Sequence, residues 1–243
     1  MRLIPTAVFL ALSVLAQLPV LGQQAAPEAA ANGFVALFSA RNATTLAVLQ
    51  AEFPADHVAL LTRVAAIAAS GQNQEAMLSA GFAAIGTIRR KYAERLRFAP
   101  AQTLSDLLVH TAEFHDAVYE GEGVGGCGYF ARNGTGTLYE LGVSERYAAL
   151  IDLQTALYLR AAVAGIEQPE IYGATGERDF AALLSGMAAA GLPKAFVEAI
   201  ASANPANENL CPALSTMFRA AAVYNTPEGL RVRADLAQNL AGY

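Results

Sequence analysis

Apolar residues recur at helical spacing along almost the whole of this chain, and runs that alternate apolar with polar residues are nearly absent. In "HVALLTRVAAIAAS" (residues 57–70) Val58, Leu61, Val64 and Ile67, the last two shadowed by Ala65 and Ala68, follow the i, i+3, i+4, i+7 rule, and Gly71 supplies a stop. A second stripe, Met77, Leu78, Phe82, Ile85, Ile88, Tyr92 and Leu96, runs toward Pro100. A third helix begins after Pro100 with Leu104, Leu107, Leu108, Phe114 and Val118 pointing inward, and its pattern fails at Gly121. A fourth is opened by a Ser144 cap and closed by Gly165. "NATTLAVLQAEF" makes an earlier helix stopped or kinked by Pro54. Four shorter helices follow in "ERDFAALLSGMAAA", "LPKAFVEAIAS", "CPALSTMFRAAAVY" and "TPEGLRVRADLAQNL", the last capped by Thr226 ahead of Pro227. The best strand candidate is "TLYELGV" at residues 137–143. The pattern predicts an all-α fold, a multi-helix bundle or irregular α-hairpin array, with one Gly-rich loop; no fixed repeat period marks a solenoid.

The first residues place Arg2 ahead of an apolar run that ends near Gly22, the layout of a secretory signal peptide. Pro5, Gln17 and Pro19 interrupt the run and no stop-transfer charges follow, which favours cleavage near residues 22–26 over a membrane anchor. Residues 23–243 then form a single all-α domain in an extracytoplasmic compartment, periplasmic or secreted. The compact leader fits a bacterial exported protein, so the sequons at Asn42 and Asn133 read as turn or cap asparagines. Removing the leader takes away one base and no acid, so a net charge of −5 becomes −6. An acidic chain repels nucleic acid and anionic lipid, and the basic run Arg89 to Arg97 reads as the end of a helix whose dipole favours cations. Export makes one disulfide the simplest fate of the only two cysteines, Cys127 and Cys211.

"EGEGVGGCGYF", from Glu120 to Phe130, carries Gly121, Gly123 and Gly126 at the spacing of a dinucleotide-binding turn. That turn must follow a strand and open a helix; here the glycines end a helix and two carboxylates stand among them, so no nucleotide and no cofactor is expected. The segment reads instead as a loop that carries Cys127 to its partner and holds Tyr129, Phe130 and Tyr139 as candidate binding residues. The other candidate cluster is "HTAEFHD", with His110, Glu113, His115 and Asp116. On a helix His110 and Glu113 share a face, but His115 lies about 140° away from His110 at 100° per residue. A zinc helix needs histidines at i and i+4, so no metal is expected.

These readings favour an exported non-catalytic helical domain that binds a protein or small-molecule partner. The alternatives are an exported hydrolase or metal-dependent enzyme built on His110, Glu113, His115 and Asp116, and a carrier of an apolar ligand. An apolar cavity beside a few polar groups would favour the carrier, converging histidines and carboxylates the enzyme, and a convex aromatic patch the protein binder.

Overall fold

The computed structural model describes residues 25–242, so the expected leader lies outside the described residues. The fold is all-α, and among these residues there is no strand. The helices are α1 (Ala25–Arg41), α2 (Ala43–Glu52), α3 (Pro54–Ala68), α4 (Gln74–Leu96), α5 (Ala101–Asn133), α6 (Gly136–Glu140), α7 (Ala148–Glu167), α8 (Glu177–Ala189), α9 (Lys194–Ser202), α10 (Leu210–Val223) and α11 (Pro227–Asn239). Two local expectations are corrected. The proposed strand at 137–143 is the short helix α6 and its exit turn, and the Gly-rich loop is helical as far as Asn133.

Helices α5 and α7 form the centre. Leu104, Leu107, Leu108, Phe114 and Val118 of α5 are fully buried, as their spacing requires, and α7 buries Ile151, Ala156, Tyr158 and Leu159. By length and composition α7 is apolar enough to cross a membrane, but it is packed against α2, α4 and α5 and buries Asp152, Gln154 and Thr155.

Three charged groups buried in this core hold helix ends. Asp152 accepts the backbone N–H groups of Thr44 and Thr45 at 2.8 Å each, so a carboxylate from α7 caps the first turn of α2. The two buried arginines work at the opposite pole. Arg233 donates to the carbonyls of Ala221 (2.9 Å), Tyr224 (3.3 Å) and Ala101 (3.1 Å), closing the C-terminal end of α10, where Ser105 also donates to Ala222 at 2.7 Å. Arg89 donates to the Leu240 carbonyl beyond α11 and lies 4.9 Å over the Tyr158 ring. Burial lowers its pKa to about 10, so it keeps its charge, set against helix-terminal carbonyls rather than a carboxylate.

Candidate functional site

Gly123 departs from helical geometry inside α5, with φ 66° and ψ −166°, a conformation essentially confined to glycine. It kinks the helix between a first arm ending near Glu122 and a second arm carrying Cys127. The neighbouring glycines serve close approach. A Cβ on Gly128 would fall 1.8 Å from the Pro205 carbonyl oxygen, and one on Gly121 would fall 2.1 Å from the Tyr147 hydroxyl. Glu122 accepts from Tyr147 (2.8 Å) and Arg146 (2.6 Å), which pins the kink to the start of α7. This segment packs a helical corner. Cys127 and Cys211 are joined, tying the second arm of α5 to the first turn of α10.

The His-rich cluster is dispersed by the helix that carries it. His110 is buried and its Nε2 lies 3.1 Å from the Leu150 carbonyl of α7; Glu113, 3.8 Å from its Nδ1, points to solvent. His115 is buried on another side, its Nδ1 2.9 Å from the Thr111 carbonyl and its ring 4.9 Å from Phe130 and 5.3 Å from Phe218. Burial drives its pKa down to about 4, only partly opposed by the Thr111 carbonyl, so the ring is neutral at pH 7. Asp116 pairs with Arg219 at 2.6 Å on the surface. The four side chains share no cleft, and the described residues hold no group of three or more His, Cys, Asp or Glu placed to bind one metal ion.

The three aromatic candidates separate as well. Phe130 is fully buried against Phe114, with ring centroids 4.8 Å apart, so in this structure it packs in the core. Tyr129, one position on, is 58% exposed, because a helix rotates neighbours about 100° apart. Tyr139 is half-buried, stacked on Phe82 at 4.9 Å.

An apolar concavity lies elsewhere, between α8 and α10. Leu183, Gly186, Met187 and Ala190 line one wall at i, i+3, i+4, i+7 spacing, and Ala220 and Val223 line the other. Leu192 closes one end, Thr216 and Tyr224 supply a polar edge, and the volume is about 320 Å³. Val223 is 71% exposed although it is a large aliphatic side chain at the end of a helix otherwise well buried. The sequence shows both stripes as ordinary amphipathic faces. Nothing in their spacing reveals that the two faces meet at Leu183 and Met187 yet leave Val223 open beside a groove.

No protein-family model matches the chain, and no curated protein or solved structure matches it.

Proposed function

We propose that this is an exported, non-catalytic helical protein that binds a small apolar ligand in the groove between α8 and α10. The observation that carries the reading is the apolar lining beside a two-residue polar edge, the combination that marks small-molecule sites. Size favours a small ligand over a protein. The α8 wall spans seven steps from Leu183 to Ala190, roughly 10 Å at 1.5 Å per residue, whereas a specific protein interface buries about 800 Å² per partner. His110 and His115 support the same reading, since both already lie against backbone carbonyls within the core.

The test is titration with the neutral fluorophore N-phenyl-1-naphthylamine. A saturable rise in fluorescence is expected, and Gly186→Leu should weaken binding at least tenfold, because a side chain there meets nothing within 4 Å and would extend into the groove. A response that does not saturate, or one unchanged in Gly186→Leu, defeats the reading.

A further inference from the structure

A second, polar cavity lies where α1, the start of α4, α6 and the turn after α6 meet, at a distance in the fold from the α8–α10 groove. Its volume is about 270 Å³ and its lining includes Arg41, Gln74, Glu75, Tyr139, Ser144 and Glu145. The Arg41 side chain is 13% exposed and pairs with Glu145, which is itself 74% exposed at the rim. The Nε of Arg41 is buried with no hydrogen-bond partner among the described residues. Ser144 is 9% exposed and lines the same space, and its hydroxyl is bonded to none of the described residues. Tyr139 is held by its stacking on Phe82, and its hydroxyl, which feels the Arg41 charge, is likewise bonded to none of them. Burial pushes its pKa up to about 12, so it remains a donor. Buried polar atoms in folded proteins are nearly always paired. The buried Arg41 Nε, with the Ser144 and Tyr139 hydroxyls open to the cavity beside it, therefore matches a polar occupant rather than an apolar one.

The charges are ordered by depth. The guanidinium stands at the bottom, while Glu145 and the exposed Glu75, in the first turn of α4, stand at the rim. Gly142, at φ 69°, brings the exit turn of α6 close beneath Glu75, 3.8 Å from where a Cβ would stand. The geometry points to a site for a small zwitterion of the α-amino acid type. Its carboxylate would be received by Arg41, Tyr139 and Ser144, and its ammonium by Glu75 and Glu145. A lone anion would satisfy the floor and be repelled by the rim; a lone cation would do the reverse.

The experiment is an isotope-labelled NMR titration of the protein with glycine, L-alanine and glycylglycine, with acetate, methylamine and N-acetylglycine as partial ligands. Saturable shifts confined to Tyr139, Ser144 and the start of α4 are expected for the free amino acids. Acetate, methylamine and N-acetylglycine should bind at least tenfold more weakly, because each lacks one of the two charges. Tyr139→Phe and Ser144→Ala each remove a single hydroxyl, and each should weaken alanine binding about fivefold to tenfold at unchanged melting temperature. Binding of glycylglycine equal to or tighter than that of alanine would assign the zwitterion to peptides; weaker binding assigns it to free amino acids. The proposal is overturned if no saturable shift occurs, as in a cavity that holds only water, if acetate or N-acetylglycine binds as well as alanine, or if both hydroxyl variants bind like the parent. The α8–α10 groove gives its own response at Leu183, Met187 and Val223, so either site can fail while the other stands.

Discussion

Tyr129 and Phe130 are adjacent in sequence and opposite in role. Phe130 is fully buried against Phe114 and His115, so Phe130→Ala should cost about 4 kcal/mol in urea denaturation, the range for a buried aromatic. Tyr129→Ala should stay within about 0.5 kcal/mol of the parent, as for other exposed positions. Equal losses would mean that the second arm of α5 is turned differently from the orientation described. The glycines of the same arm make a second pair. Gly128→Ala drives a methyl into the Pro205 carbonyl, and since both groups are backbone-bound the cost should reach about 3 kcal/mol. Gly125→Ala meets nothing within 4 Å and replaces glycine within the helix, so it should raise stability by about 0.5–1 kcal/mol.

Among the elements, α2 takes the support of its first turn from far along the chain. Its own N-cap residue, Asn42, makes no side-chain cap and turns back to donate to the Phe38 carbonyl at 2.8 Å, leaving the first-turn amides to Asp152, 107–108 residues away in sequence. Asp152→Ala should destabilise the protein by about 2 kcal/mol, since buried donors lose a charged acceptor. Hydrogen exchange at Thr44 and Thr45 should accelerate before the rest of the core; uniform acceleration would place the lost energy elsewhere. The disulfide acts between elements too, binding the kinked arm of α5 to α10. Replacing both cysteines by alanine should lower stability by about 4 kcal/mol on the chain-entropy account of a closure this long, read from the urea midpoint at fixed slope.

At the scale of the whole molecule, acid stability follows from His115. The folded protein protonates it only near pH 4, whereas the unfolded chain does so near pH 6.5. Between those values the unfolded state holds the extra proton, so stability falls as pH is lowered through the window, by at most about 1.4 kcal/mol per unit. Above pH 6.5 the group is neutral in both states and the effect vanishes. Asp179 titrates lower: its bonds from Arg231, then from the Gly176 amide, hold its pKa down at about 2, so its contribution is present above pH 3.8 and lost as pH falls toward 2. His115→Phe, placed among Phe130 and Phe218, should flatten the stability profile between pH 6.5 and 4 and leave the loss below pH 4 in place. Parallel profiles for variant and parent would remove His115 as the cause.

Helical periodicity alone determined the fold class, because an apolar stripe at 3.6-residue spacing can be buried only if the chain coils to bring it to one side. It also placed the buried face of α5 and the Thr226 cap of α11, which accepts from Gly229 at 3.2 Å, since both depend on residues within a few turns of each other. The pairing of Cys127 with Cys211 followed from there being only two cysteines. Tertiary structure decided everything that depends on which faces meet. In α3 the repeat admits neighbouring phases, and packing against α1 and α4 centres the buried face on Leu60, Val64 and Ala68, keeping Leu61 and Ile67 at its edge and leaving Val58 64% exposed. Continuation of α5 beyond Gly121 depends on Tyr147, Pro205 and Cys211, all distant in sequence, which turn helix-breaking glycines into points of close contact. Both candidate sites lie in the same domain of decision. The groove exists where α8 and α10 meet at Leu183 and Met187 but leave Val223 exposed, and the polar cavity exists where Arg41 of α1 reaches Tyr139 of α6 and Ser144 of the turn that follows it. Local sequence carries no term for either event.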